Sequence, residues 1–183
     1  MVGTEPLDGL PLIDVGRLHY HYTAFVGTTS TDIATAWGEE RNRAETVPGG
    51  TAVFVGAGGP MGQMHMQRAI EKADGPSTII GIDLDDDRLE TVRTMLASLA
   101  EAHGRTLILH NPKDDPNSVT DLIASHTDGK GADDVIVSVP VGPVMGDAAT
   151  LMSNNGMLVL FAGVANGTLA PVSYTHLTLP TKA

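Results

Sequence analysis

The chain has 183 residues, 11 lysines and arginines against 22 aspartates and glutamates, a net charge of −11, no cysteine and 4% aromatic residues. That length suits one domain with a real core, and the absence of cysteine excludes disulfides, iron–sulfur clusters and cysteine-ligated zinc within the chain. The acidic balance argues against nonspecific nucleic-acid binding, which needs a basic surface. No run approaches the roughly 18 apolar residues of a membrane span, and the N-terminus lacks a basic-then-apolar signal pattern. A cytoplasmic protein with no membrane or nucleic-acid partner is therefore expected.

Residues 1–47 stand apart from the rest. Ile13–Gly27 reads as an extended segment or strand, Ser30–Trp37 as a capped helix, and the polar run GEERNRAE as an exposed helix end or linker. His19 and His21 would share one face of a strand, but no third ligand of suitable spacing accompanies them. A packed or solvated pair is the favoured reading over a metal site. Pro48-Gly49-Gly50 is the best internal boundary.

From Thr51 onward, strand-like and helix-like segments alternate. Thr51–Val55 is short, apolar and β-branched, and a glycine cluster follows it. Residues 60–73 predict a helix with Gly62, Met66, Ala69, Ile70 and Ala73 on one face, and Ser77–Asp83 predicts a second buried strand. Asp85–Ala102 predicts a helix with an apolar stripe of Leu89, Val92, Met95, Leu96 and Leu99, opened by a capping box from Asp87 to Glu90. A strand at Thr106–His110, a helix at Ser118–Ser125, a strand at Asp133–Val139, a helix at Val144–Ser153 and a strand at Gly156–Gly163 complete the series. Strands joined by helices must pair in parallel. Their continuous apolarity fits a sheet covered on both faces. The expected fold is a doubly wound α/β parallel sheet of Rossmann type, ending before a sixth strand and preceded by a strand–helix extension. The last strand would be an unpaired edge, a source of stickiness.

The chemistry concentrates in Val55–Gly62, VGAGGPMG. Glycines between a strand and a helix allow backbone N–H groups to approach a pyrophosphate, and the helix N-terminus stabilises the anion. Two registers fit. Gly56, Gly58 and Gly62 make G-x-G-x-x-x-G, whereas Ala57, Gly59 and Gly62 make A-x-G-x-x-G. Asp83, at the end of the second strand, can accept hydrogen bonds from both hydroxyls of an adenosine ribose, and it would repel the 2′-phosphate of NADP, so NAD is the expected cofactor. A valine at Gly58 would occupy the phosphate position, and Asp83→Gly would weaken NAD more than NADP. Arg88 either meets the adenosine end or makes a surface ion pair. Pro60 and Met61 open the helix beside the phosphates, and Val139, Pro140 and Gly163 end strands that border the crevice. Met61, Met64 and Met66 are expected between helix and sheet, and His65 on the helix surface. The sequence has no Tyr-x-x-x-Lys pair, no P-loop and no G-x-S-x-G elbow. A methyltransferase-like domain binding S-adenosylmethionine, or a non-catalytic nucleotide-binding module, remains as an alternative.

VGAGGPMGQMH, GIDLDDDRLE, DDVIVSVPVGPVMGDAA and NNGMLVLFAGVANGT together resemble the cofactor domain of medium-chain, zinc-type alcohol and polyol dehydrogenases, and more narrowly their sorbose-1-phosphate reductase-like branch. The resemblance spans about residues 48–170. It implies an oxidoreductase that moves hydride between NAD(P) and a small alcohol or ketone. The glycine-loop role would fall on Gly56, Gly58, Gly59 and Gly62 and the ribose role on Asp83. It also implies a catalytic zinc lobe that this chain lacks, so that the chain alone has no catalytic or metal-binding residue and is not catalytically competent. Homo-oligomerisation is left open. HYHYTAFVGTTSTDIATAW is similar to the piece that normally follows the last strand of such a domain, which would make residues 1–47 the tail of a preceding module. Residues 48–171 would then be the dinucleotide-binding domain. Residues 172–183, VSYTHLTLPTKA, resemble a translated sequencing adapter and are expected to be non-native.

Overall fold

A computed structural model describes residues 11–21, 23–28, 30–38, 43–115 and 117–172, without the side chain of residue 19. The expected tail at 172–183, apart from the buried Val172, and the middle of the GEERNRAE run lie outside the described residues.

A five-stranded parallel sheet forms the centre. Its strands are β2 (Thr51–Val55), β3 (Thr78–Ile82), β4 (Thr106–His110), β5 (Ala132–Val137) and β6 (Met152–Leu160), in the order β4-β3-β2-β5-β6. The chain leaves β2 outward to β3 and β4, crosses back, and continues from β5 to β6. Strand direction of travel therefore reverses between β2 and β5, which is the Rossmann arrangement and its switch point. The pleat divides each strand between two cores. Ala52, Phe54, Ile79 and Ile136 face Met66, Ala69, Ile70, Val92 and Leu96. Those residues come from α2 (Pro60–Glu71) and α3 (Asp86–Ala102). Val53, Ile80, Val135 and Val137 face the other way, towards Val119, Ile123, Met145 and Ala149. Their partners come from α4 (Ser118–Thr127) and α5 (Gly142–Ala149). Helices thus cover both faces, as the apolar strands required.

Several expectations shift. α2 ends at Glu71, so Ala73 is outside it and exposed. Asp85, not Asp87, caps α3, its carboxylate accepting from the Arg88 amide at 3.1 Å. The capping box from Asp87 to Glu90 is therefore not the helix start. Met95 is exposed and Ala100 takes its place in the core. The last two strands and the helix between them begin earlier than expected. Residues 153–156 bulge between the pairs Ala132↔Met152 and Asp134↔Met157, and the polar Asn154 and Asn155 in that bulge mask the strand in the sequence.

The N-terminal segment differs most. Instead of one strand over Ile13–Gly27, a short strand β1 (Leu12–Asp14) runs directly into helix α1 (Val15–Tyr20). β1 pairs antiparallel with β7 (Leu169–Pro171), a strand that no alternation marked. Asp14 causes the change of direction. Its carboxylate accepts from the Arg17 amide at 3.1 Å, capping α1, and from Gly167 at 3.0 Å. Val15 is buried with Ala170 and Val172, and the Val172 amide donates to Pro11. His19 and His21 straddle the end of α1, with His21 as its cap, so they do not share a strand face. The expected helix at Ser30–Trp37 is a 3-10 turn over Ile33–Trp37, capped by Asp32.

The linker before β2 is fastened to the sheet's N-terminal edge. Arg43 donates at 2.6 Å to both the Asp134 carboxylate and the Asp133 carbonyl, and the Val47 amide donates at 2.8 Å to the other Asp134 oxygen. Asp134 is wholly buried. Burial pushes its carboxyl pKa up, against the Val47 amide and Arg43, which pull it down.

Candidate dinucleotide site

Every nominated residue lies on or just beyond the C-terminal edge of the sheet, where His110, Ile82, Val55, Val137 and Leu160 are in register. The glycine loop turns there because Gly56 takes a φ of +84°, a region that favours glycine. A Cβ on Gly56 would also meet Val139 Cγ2 at 2.6 Å, so the β2 and β5 ends touch across the switch point. A Cβ on Gly62 would stand 2.3 Å from the Gly56 carbonyl oxygen, so α2 packs directly on the loop backbone. These contacts select the register Gly56, Gly58, Gly62. Gly59 is the spare glycine, since a Cβ there meets Gly56 O only at an ordinary 3.5 Å.

Gly58 is buried, and its amide donates to Asp83 Oδ2 at 2.8 Å. A Cβ there would come within 2.5 Å of Arg88 Cβ and 2.9 Å of Asp83 Oδ2. A side chain at Gly58 is thus excluded by the Asp83 carboxylate and by the start of α3. Asp83 Oδ1 accepts from the Asp85 amide at 3.2 Å. A carboxylate has about four acceptor positions, so two amides fix its orientation and leave it lone pairs for hydroxyl donors. Gln63 Nε2 donates to the Gly58 carbonyl at 2.9 Å and stiffens the loop further, a contact that no motif announces.

Pro60 occupies the first position of α2, with Gly59 as cap and no capping side chain. Proline has no N–H to leave unpaired and presets the helical φ. The Met61 and Gly62 amides follow it in the first turn, where a helix offers donors that no intrahelical carbonyl takes. A cap without a side chain leaves this helix end to an anion. Arg88 makes an exposed ion pair with Asp85 at 3.5 Å. Val139 is half-buried against the loop and Pro140 is exposed. Gly163 lies three residues past β6. Of the three methionines only Met66 is fully buried between helix and sheet, and Met64 is exposed.

Sequence reasoning missed one pair at this edge. His65, expected on the surface, is half-buried and stands edge-on to Phe161, with ring centroids 4.5 Å apart at 87°.

The glycine cradle fits a dinucleotide: positions 56, 58 and 62 have no room for a side chain, and a carboxylate is held at the β3 end. The residues present do not fit zinc. The chain has no cysteine, and no group of three His, Asp or Glu among the described residues could hold a metal.

Comparison with known proteins agrees with this geometry. Mannitol-1-phosphate 5-dehydrogenase of Aliivibrio fischeri is 37% identical over 152 residues, covering 81% of this chain and 33% of that protein. An NAD-dependent alcohol dehydrogenase of Sulfurisphaera tokodaii is 37% identical over 94 residues, covering 51% of this chain and 23% of that protein. The crystal structure of 2R,3R-butanediol dehydrogenase from Bacillus subtilis superposes with a TM-score of 0.57 at 22% identity, over 77% of this chain and 37% of that one. The chain resembles alcohol and polyol dehydrogenases. It spans about a third of the length of the mannitol-1-phosphate 5-dehydrogenase. No family model matches it. Among the described residues no helix is long and apolar enough to cross a membrane.

Proposed function

We propose that this chain is the NAD-binding part of a medium-chain alcohol or polyol dehydrogenase that acts on a sugar-alcohol phosphate or a similar small hydroxyl or ketone substrate. The observation that carries the reading is the 2.8 Å bond from the Gly58 amide to Asp83, which holds a carboxylate beside a helix start with no side-chain cap. In this reading the Met61 and Gly62 amides bind the pyrophosphate, and Asp83 accepts from the adenosine ribose hydroxyls. Val139, Pro140 and Gly163 border the nicotinamide half, and Arg88 flanks the adenosine. Bound NAD supplies the hydride-accepting ring; the chain's own residues bind and orient it. The phosphorylated polyol class is supported by the similarity to the mannitol-1-phosphate enzyme, and the sorbose-1-phosphate reductase-like branch belongs to that class. Substrate activation by zinc falls to residues outside this chain. The division into residues 1–47, 48–171 and 172–183 is proposed for the origin of the segments and not for their packing, because β1 pairs with β7 and Val15 and Val172 share one core with the sheet. A cytoplasmic setting is part of the same proposal.

Titration calorimetry with NADH, NADPH and S-adenosylmethionine tests the assignment. NADH is expected to bind at least tenfold more tightly than NADPH, because a carboxylate facing the 2′-phosphate repels it. Asp83→Gly should weaken NADH by about 10- to 100-fold, the loss of hydrogen bonds to a charged acceptor, and weaken NADPH less. Binding of S-adenosylmethionine alone, or NADH affinity unchanged in the variant, would remove this reading.

A further inference from the structure

The His65–Phe161 pair joins helix α2 to the end of β6. Phe161 is the first residue past β6, its amide still donating to the Val137 carbonyl at 3.0 Å, and its side chain is 38% exposed. By the alternation of the strand it falls on the same face as Val159, the face that α2 covers. His65 lies in the second turn of α2, and helical side chains lean towards the N-terminus. Its ring therefore reaches from the helix that begins at the phosphate-binding loop towards the β6 end. Asp83 is at the end of β3, on the opposite side of β2. Phe161, which the His65 ring meets, and Asp83 thus stand on opposite sides of β2.

His65 Nδ1 is buried with no hydrogen-bond partner. A sealed nitrogen without an acceptor is poorly suited to carrying a proton, because an unpaired buried N–H costs more than a bare lone pair. The proton of the neutral ring then belongs on Nε2. Resting on the dinucleotide reading above, we propose that His65 is a neutral hydrogen-bond donor, through Nε2, to the nicotinamide half of the bound dinucleotide, its ring orientation set by the edge of Phe161. The imidazole pKa is held below its ordinary value by burial first and then by the positive charge of Arg68. Arg68 sits on the same helix and is itself paired with Glu45; from the β6 side the ring meets the uncharged phenyl of Phe161. No described carboxylate is bonded to the imidazole to stabilise its cation.

Calorimetry on the full chain with NADH and with ADP, which fills only the adenosine and diphosphate positions, tests the proposal. His65→Phe keeps an aromatic edge but removes the donor, and should weaken NADH about five- to tenfold while leaving ADP unchanged. His65→Gln, whose amide nitrogen reaches about as far as Nε2, should restore most of the loss. Any loss of wild-type NADH affinity from protonation of His65 should set in only on the acid side of the ordinary histidine value. Equal losses for NADH and ADP would make the role structural, and an unchanged His65→Phe variant would show no contact; either overturns the proposal. So would an inflection near pH 6.5 that His65→Phe abolishes, since it would mean binding as a cation. Failure of wild type to bind either NADH or ADP would instead refute the dinucleotide reading itself, and the proposal with it.

Discussion

Replacing Gly58 with alanine adds one methyl group where the structure has no room. The new Cβ would lie 2.5 Å from Arg88 Cβ and 2.9 Å from Asp83 Oδ2. Carbon atoms in contact prefer about 3.5–4.0 Å, so the Arg88 stem must retreat by roughly 1 Å, and it belongs to the first turn of α3. Overpacking of this kind costs about 1–3 kcal/mol. The shift also pulls Asp83 from the Gly58 amide, a bond of 2.8 Å, and bonds to charged acceptors are worth about 1.5–3 kcal/mol. Gly58→Ala should therefore lower the melting temperature by several degrees and weaken NADH by about 10- to 100-fold. Gly59→Ala, in the same loop, places its Cβ at an ordinary 3.5 Å from Gly56 O, and its melting temperature should stay within about 2 °C of wild type. Calorimetry and a thermal melt on the two variants suffice. If Gly58→Ala bound NADH as well as wild type does, Asp83 would not be the anchor and the loop register would be wrong.

Two further perturbations probe the scaffold. Arg43→Met strands the buried Asp134 carboxylate, and breaking such a pair costs about 3–5 kcal/mol. Its folded pKa, already raised by burial, rises further without Arg43. The native state then binds the proton more tightly than the unfolded chain, so the variant should lose stability as pH climbs from about 4 through the raised folded value; urea melts at several pH values that show no steeper loss than wild type would contradict this. Gly16→Ala would drive a Cβ to 2.2 Å from the Ala165 carbonyl oxygen and should detach α1. The Val15 amide, which donates to Thr168 at 3.0 Å, should then lose its hydrogen-exchange protection, and retained protection would show that the helix docks another way.

The sheet was legible because β2, β3 and β5 are buried on both faces, which demands uninterrupted runs such as Ala52–Phe54 and Val135–Val137. The loop was legible because Gly56 and Gly62 answer local steric demands. What escaped depends on partners far away in sequence. Leu12–Asp14 is a strand only because Leu169–Pro171 lies beside it; alone, Ile13–Gly27 looks like one extended segment. Met95 has the spacing of the α3 stripe, yet it is exposed while Ala100 is buried. The meeting of His65 with Phe161, 96 positions apart by numbering, follows from the tertiary fold, which no local pattern encodes.

The pairing of Leu12–Asp14 with Leu169–Pro171 also orders the assembly of the fold in time. Synthesis delivers β1 first and its partner last, with all five parallel strands between them. Contacts of such long sequence separation carry the largest loop-closure cost until the intervening chain is compact. The N-terminal segment is therefore expected to dock over Ala170 and Val172 after the sheet has formed. The same proximity makes these two segments a natural place to splice the chain: a short connector from residue 172 to residue 11 would yield a circular permutant that could be opened at the exposed turn after α4, at Gly129.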